Sequence, residues 1–238
     1  SIMRKNVVIL MLGIIATACA QNNNNQSKEG VRDGYTEEIY GKYKICGHYE
    51  NGLKEGNWIT YNYDGSLEML SSYRNGERDG IALEFDHRGY LIKQEHYKNG
   101  KLDGLNIVFG TNHRMQSKIN YKEGKYDGKY MVYYDNGRLQ EESEYKNGVK
   151  DGFSKWYDQN QRLIAIYEYK EGEFNGTNKS YYPNKILKKT ETYEDNQLNG
   201  PYKEYHTDGS VKVEGAYDNG EKEGEWIEYD IHGKVLSK

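Results

Sequence analysis

The sequence predicts an all-β protein: an elongated antiparallel β-meander of about eight two-stranded hairpin units, each 24 residues long. A tyrosine recurs every 24 residues, without insertion or deletion. Seven residues after it comes a glycine, five further an aromatic residue, and six further Leu, Met or Val. A fixed period of this length indicates a repeat architecture. The kept tyrosines and glycines are Tyr49, Tyr73, Tyr97, Tyr121, Tyr145, Tyr169, Tyr193 and Tyr217, and Gly56, Gly80, Gly104, Gly128, Gly152, Gly176, Gly200 and Gly224.

Each copy carries two turn signals. One is Asp-Gly or Asn-Gly at the kept glycine, as in Asp79-Gly80, with Glu55 and Glu223 in place of the Asp in the outer copies. The other follows the aromatic residue, as in Asp64-Gly65. Three copies have His113, Gln161 or Lys185 in place of the second glycine, each preceded by an Asn. Asn tolerates positive φ, so we expect these turns to be kept. Two turns per copy predict two strands of about six to eight residues.

Alternation along the strands predicts which side chains share a face. The third and fifth residues after the kept glycine, such as Ile59 and Tyr61, share one face, and we expect Leu67 and Tyr73 to share a face of the second strand. Stacked copies place like residues side by side, and such cross-strand pairs contribute about 0.2–1 kcal/mol each. An open sheet of this length can also curl, so a curled or partly closed sheet is the alternative. Three copies replace the aliphatic third residue by Lys155, Lys179 and Lys203.

The pattern Tyr-x-Asn-Gly-x-x-x-Gly-x-Trp-x-x-Tyr stands at residues 49–61 and 217–229. It resembles the MORN-repeat superfamily, and most of all the bacterial variant found in YwqK-like antitoxin proteins. The resemblance covers residues 47–238 and implies β-hairpins laid side by side. Classical MORN repeats are slightly shorter and richer in glycine, so the membrane-lipid binding claimed for some of them does not carry over.

The first residues are typical of an exported protein. A basic start, Met3-Arg4-Lys5, precedes an apolar run from Val7 to Ile15, which is of signal-peptide length and too short to span a bilayer. The segment 16–19, Ala-Thr-Ala-Cys, resembles a bacterial lipobox, so we expect 1–18 to be a signal peptide and Cys19 to be lipidated. The alternative is cleavage after Ala20, which would give a secreted protein.

The remaining chain divides by composition and period. We expect 19–29 to be the lipidated cysteine and a flexible polar tether, 30–48 a degenerate N-terminal capping repeat, and 49–238 eight tandem MORN-like repeats. The expected location is the cell envelope, at the outer membrane or cell surface, with contact to the membrane through the lipid alone. If Cys19 carries lipid, Cys46 has no intramolecular partner, and we expect it to be half-buried in a strand.

Nothing in the sequence concentrates chemistry at one place. The net charge of −4 is spread evenly, which argues against a nucleic-acid partner. The six histidines follow no metal-ligand spacing, and each turn offers only one acidic side chain, so we expect no metal and no cofactor. The sequence therefore predicts a protein that is not an enzyme.

Five aromatic residues are the candidate partner-binding residues. By alternation they lie opposite the face of Ile59 and Tyr61, where aromatic rings on a polar surface can stack on sugars or anchor a protein. The alternative is packing against the neighbouring strand. They are Trp58, Tyr130, Trp156, Tyr202 and Trp226.

Two functional hypotheses follow. The first is a non-enzymatic repeat scaffold, a membrane-anchored lipoprotein that binds a protein or glycan partner in the cell envelope. The second rests on the resemblance alone, and is an antitoxin or immunity-type protein that neutralises a partner toxin.

Overall fold

Tight two-residue turns organise the fold. In Asn51-Gly52 both residues have positive φ, at 52° and 80°, and the equivalent turns of the other copies behave alike. Two positive φ angles define a type I′ turn, whose twist matches that of paired strands and which favours Asn-Gly. Where the chain departs from Asn-Gly it keeps the geometry, as in Glu171-Gly172 at 52° and 92° and Asp195-Asn196 at 46° and 66°.

The computed structural model describes residues 31–238. The predicted signal peptide, Cys19 and the tether therefore lie outside the described residues. The described chain holds twenty β-strands and divides into two compact units, one ending at Gly104 and the other running from Leu105 to Lys238.

The first unit contains seven strands. They are β1 (Gly34–Tyr40), β2 (Tyr43–Glu50), β3 (Leu53–Asn62), β4 (Leu67–Arg74), β5 (Glu77–Phe85), β6 (Leu91–Lys98) and β7 (Lys101–Leu102). Each strand pairs antiparallel with the one before it.

The second unit contains the other thirteen strands, of which the first begins one residue before the unit. They are β8 (Gly104–Phe109), β9 (Met115–Lys122), β10 (Lys125–Tyr133), β11 (Leu139–Lys146), β12 (Val149–Tyr157), β13 (Leu163–Lys170), β14 (Glu173–Phe174), β15 (Gly176–Tyr181), β16 (Leu187–Glu194), β17 (Gln197–Tyr205), β18 (Val211–Asp218), β19 (Glu221–Tyr229) and β20 (Val235–Ser237).

The predicted fold class is confirmed. All recorded strand pairs in the described residues are antiparallel, and within each unit successive strands pair as a meander, with β14 and β15 both on β13. Within 31–238 no helix is present. In particular, this part of the chain contains no helix with the length and hydrophobicity needed to cross a membrane.

The predicted turn after the aromatic residue is also present. The Asn62 N–H donates to Ser66 O at 2.8 Å and the Gly65 N–H to Asn62 O at 3.0 Å, with Gly65 at φ 81°. His113, Gln161 and Lys185 adopt positive φ themselves, at 58°, 63° and 70°. The preceding Asn has a different role from the one predicted. Asn112, for example, accepts the Arg114 N–H at 2.9 Å through its side chain, which holds the turn closed.

The prediction of a turn at the kept glycine is wrong. Gly80 lies inside β5, where the register shifts between the pairs Ser71–Ala82 and Tyr73–Arg78. Its φ is 107°, and an added β-carbon would meet the Ser72 side chain at 3.0 Å. The glycine therefore marks a β-bulge, and the hairpin turn is the Asn-Gly pair four residues earlier.

The expectation that Leu67 and Tyr73 share a face is also wrong. Tyr61 pairs with Leu67 but Thr60 pairs with Met69, so a bulge at Glu68 reverses the alternation. Leu67 thus lies with Ile59 on one side of the sheet, the aliphatic face. Tyr73 lies on the other side, the tyrosine face, which in every copy carries the kept tyrosine.

The core of the first unit lies on its aliphatic face. Its buried members are Cys46, Ile59, Leu70, Leu83 and Phe85. Cys46 is 1% exposed, so it is more deeply buried than predicted.

Candidate functional site

The tyrosine face is the candidate functional surface. Each kept tyrosine pairs with the second residue after the following type I′ turn, and these partners also recur every 24 residues. Antiparallel pairing places the two side chains next to each other on one face. The pairs are Tyr49–Lys54, Tyr73–Arg78, Tyr97–Leu102, Tyr121–Tyr126, Tyr145–Lys150, Tyr169–Phe174, Tyr193–Leu198 and Tyr217–Lys222.

In the first unit the partners of the tyrosines include cations. The Lys54 Nζ lies 4.2 Å from the Trp58 ring centroid and 5.0 Å from that of Tyr73. The Arg78 guanidinium lies 5.1 Å from the Tyr97 ring and donates a 3.0 Å hydrogen bond to its hydroxyl. Burial and a hydrogen bond to Glu95 raise the pKa of Tyr97 above its ordinary value. Cations thus bridge successive rings through cation–π contacts.

In the second unit several partners are apolar. The Tyr126 ring lies 5.1 Å from that of Tyr121 and 5.2 Å from that of Tyr145. Phe174 lies 4.8 Å from Tyr169 and 5.3 Å from Tyr193. Aromatic pairs at these distances stabilise the sheet beyond their buried area.

Trp58, the first of the five predicted aromatics, is 4% exposed. Its ring is 4.8 Å from that of Tyr49, and its indole N–H donates to His48 O at 3.2 Å. A β-carbon on Gly47 would lie under 3.0 Å from this ring. Trp58 therefore packs onto the bare backbone of the neighbouring strand, and a partner would meet little of it.

Trp226 repeats this arrangement in the second unit, where it lies over Gly215 and donates to Ala216 O at 3.2 Å. The structure also brings Tyr202 to it, with a ring separation of 5.2 Å. Burial and a hydrogen bond to Glu204 raise the pKa of Tyr202. Both rings are half-buried, so part of each remains accessible.

Tyr130 and Trp156 belong to separate groups on the same face. Tyr130 packs against Tyr145 at 5.1 Å. Trp156 donates to the Ser154 hydroxyl at 3.0 Å and lies 5.3 Å from the Lys150 Nζ. The five predicted aromatics thus occupy the face expected of them, but only Tyr202 and Trp226 are in direct contact.

A relationship that the sequence interpretation missed lies beneath these rings. Residues eleven apart face each other across neighbouring strands, and in this row a Trp lies over a glycine while small residues face each other elsewhere. Gly47 faces Trp58, while Ser71 faces Ala82 and Ser143 faces Ser154. The signal was present, because Gly47 and Gly215 occupy the same repeat position and each is followed after eleven residues by Trp.

A buried polar cluster occupies the tyrosine face of the second unit. Ser143 and Ser154 are 0% exposed and their hydroxyls are 2.6 Å apart. Glu141 accepts from Ser143 at 2.6 Å and from the Lys150 Nζ at 2.7 Å. No substrate can reach these hydroxyls, so the groups satisfy one another and the cluster is structural.

Residues 31–238 contain no candidate metal centre. No group of three or more His, Cys, Asp or Glu side chains there is arranged to hold an ion.

The fold and its faces define a tandem array of antiparallel β-hairpin repeats. Three segments match the family model described as MORN repeat variant: residues 126–147, 174–195 and 198–219. Each contains a kept glycine, the aromatic residue five further on, and the next kept tyrosine. No curated protein matches the chain. The matched repeats indicate a repeat scaffold or interaction module, a kind of protein that is generally not catalytic.

Proposed function

We propose that this protein is a non-enzymatic scaffold of the cell envelope, held to a membrane by lipid on Cys19, and that it binds a protein or glycan partner through its repeated surface. The observation that carries the proposal is the repetition of a half-buried tyrosine on one face at 24-residue intervals, beside a cationic, aromatic or aliphatic side chain. A repeated surface suits a partner that is contacted at several equivalent points, because several weak contacts to one linked ligand together give a high affinity.

The location rests on the first residues of the sequence. A basic start, a short apolar run and a cysteine after small residues form the signal of an exported lipoprotein. The polar segment that follows is rich in Asn and Gln, a composition suited to a spacer between a lipid and the first hairpin. Such a spacer would leave the repeat array accessible to a partner.

Metabolic labelling with a fatty-acid probe tests the anchor. We expect the wild type to be labelled and to fractionate with membranes, and Cys19→Ser to lose both properties. Cys46→Ser is the matched control and should keep the label. An unlabelled wild-type protein in the cytosol would overturn the envelope proposal.

The state of Cys46 gives a second readout. A sulfur in a thioether cannot also form a disulfide, so lipid on Cys19 and a Cys19–Cys46 disulfide exclude each other. Mass spectrometry of the mature protein after thiol alkylation therefore decides between the two. Lipid at Cys19 with an alkylated Cys46 supports the anchor, and a Cys19–Cys46 disulfide contradicts it.

Crosslinking in intact cells tests the interaction. We expect the native protein to capture a protein or a glycan of the envelope, with the capture lost when the half-exposed Tyr202 and Trp226 are both replaced by Ala. Turnover of a cell-wall substrate by the purified array would contradict the non-enzymatic proposal.

A further inference from the structure

Three lysines on the aliphatic face of the second unit form a stripe of their own. Lys155, Lys179 and Lys203 occupy the repeat position that holds Ile59 and Leu83 in the first unit. In each of these copies a tyrosine follows two residues later, on the same face: Tyr157, Tyr181 and Tyr205. We call these six residues the Lys–Tyr stripe.

Strand pairing aligns the stripe across the sheet. Lys155 pairs with Ile166, which pairs with Lys179, which pairs in turn with Thr190 and so leads to Lys203. Successive lysines are therefore two strands apart, or about 9–10 Å. The tyrosines repeat at the same interval, so the stripe presents one cation and one ring per step, three times over.

The stripe is locally cationic in a chain of net charge −4. Between Lys155 and Lys203 the row contains no carboxylate, and Glu142 and Glu214 stand at its two ends. Glu214 pairs with Lys203 at 2.9 Å, whereas within residues 31–238 neither Lys155 nor Lys179 makes an ion pair. Lys179 is exposed and the other two are partly exposed.

Two further carboxylates lie on this face beside the stripe, on the side away from the tyrosines. Glu144 pairs with Lys129, and Glu168 pairs with Phe153 and accepts the Thr177 N–H at 3.1 Å through its Oε2. Within residues 31–238 neither carboxylate forms an ion pair with Lys155 or Lys179.

We propose that the Lys–Tyr stripe binds a linear acidic polysaccharide with one carboxylate per disaccharide, running across the strands. One disaccharide of an extended β-linked chain is about as long as the step between successive lysines. Each lysine then meets one carboxylate as a point charge, and each half-buried tyrosine ring offers an apolar surface for a sugar ring. The stripe lies on the face opposite Tyr202 and Trp226, so this inference adds a second binding surface to the proposed function.

The periodicity favours a polysaccharide over a protein. Most folded protein surfaces, other than those of repeat proteins, do not repeat at a constant step, whereas a polysaccharide does so by its chemistry. Three equivalent weak contacts also predict a strong dependence of affinity on ligand length.

Calorimetric titration of the full chain tests the proposal. The probes are the hyaluronan hexasaccharide and disaccharide, the neutral chitin hexasaccharide of equal length, and polyglutamate. We expect the hyaluronan hexasaccharide to bind at least about tenfold more tightly than either the disaccharide or the neutral hexasaccharide. Added salt should weaken its binding.

Matched variants locate the site. The replacement of Lys155, Lys179 and Lys203 by Met, the residue that the neighbouring copy has at Met131, should weaken hexasaccharide binding by about tenfold or more. The control replaces Lys122, Lys146 and Lys170 by Met, which removes the same charge at the same interval from exposed strand ends. It should change the affinity by less than about twofold.

If the triple variant folds poorly, Lys179→Met alone serves, because this side chain is exposed; we expect about a threefold loss. No binding of the hexasaccharide, equal binding of polyglutamate, or an equal loss in the control would overturn the proposal. Capture of an envelope partner tests the scaffold function separately, because we expect it to depend on Tyr202 and Trp226 on the other face.

Discussion

The Trp58 indole packs directly onto Gly47 of the neighbouring strand, in space that a β-carbon would need. Gly47 is required here for space, since it is not among the glycines with positive φ. The same pair recurs as Gly215 and Trp226. Size is therefore balanced between the two members of each Gly–Trp pair, and each such pair should behave as one packing unit.

A double-mutant cycle at this pair tests the balance. Gly47→Ser alone overpacks the contact and should cost about 1–3 kcal/mol of unfolding free energy. Trp58→Ala alone empties a buried site and should cost about 3–5 kcal/mol. The double variant reproduces the Ser71–Ala82 pair, so we expect it to be more stable than the sum predicts, by about 1–3 kcal/mol. Urea unfolding measures all three, and additive losses would show that the pair is not coupled.

The turn at Glu171-Gly172 should be improvable. Glu171 adopts φ 52°, which Asn tolerates better than Glu. Glu171→Asn keeps the backbone N–H that donates to Asp151 at 3.1 Å and should raise the unfolding free energy by about 0.5–1 kcal/mol. Asn147→Glu, at the equivalent turn, should lower it by a similar amount. Thermal or urea unfolding of both variants checks the sign, and no change in either would refute the argument from φ.

The Lys150–Glu141 pair should be important for stability. Its atoms are 2.7 Å apart, with the side chains 20% and 10% exposed. Lys150→Met leaves the Glu141 carboxylate buried without its cation, and we expect a loss of about 3 kcal/mol. Lys129→Met is the control, because this lysine is 65% exposed and 3.7 Å from Glu142, and should cost less than about 0.5 kcal/mol. Equal losses of unfolding free energy in the two variants would show that the buried Lys150–Glu141 pair stabilises the fold no more than an exposed pair does.

The protein should lose stability in alkaline solution. Burial, with the nearby Glu141 carboxylate, raises the pKa of Tyr145 to about 12. Because the folded pKa lies above the unfolded value of about 10, the contribution of Tyr145 is complete below pH 10 and is lost as the pH rises through 12. Tyr145→Phe should therefore make the fall in unfolding free energy between these values less steep. Tyr63→Phe, at a side chain that is 85% exposed, is the control and should leave the slope unchanged.

The period alone was enough to predict the fold class and the sharing of a face by Ile59 and Tyr61. The period did not locate the type I′ turn, and it did not assign Leu67 and Tyr73 to the correct faces of their strand, because both depend on bulges. Asp79-Gly80 has the composition of a turn, yet Asn75-Gly76 four residues earlier has it too, and only the register shows which one closes the hairpin. The bulge at Glu68 carries no special residue type, so alternation was continued across it wrongly.

Only part of the candidate site could be predicted from the sequence, because the rest depends on relations between strands. Alternation within one strand placed Trp58 opposite Ile59 correctly, since no bulge separates them. The depth of Trp58 depends on Gly47 in the preceding strand, and its cation on Lys54 after the turn, and both are relations between strands. Comparison of equivalent positions between copies, rather than along one copy, would have shown them.

The stacking of turns decides how this chain can change in length. At most of the type I′ turns the second residue donates to the preceding hairpin, as Gly76 does to Lys54 O at 2.9 Å and Gly100 to Arg78 O at 2.8 Å. An in-frame duplication or loss of one whole copy restores every such contact, whereas a one-residue insertion within a strand reverses its faces. Unequal recombination within the gene can thus alter the number of binding steps without a new fold, so related chains should differ in length by whole copies.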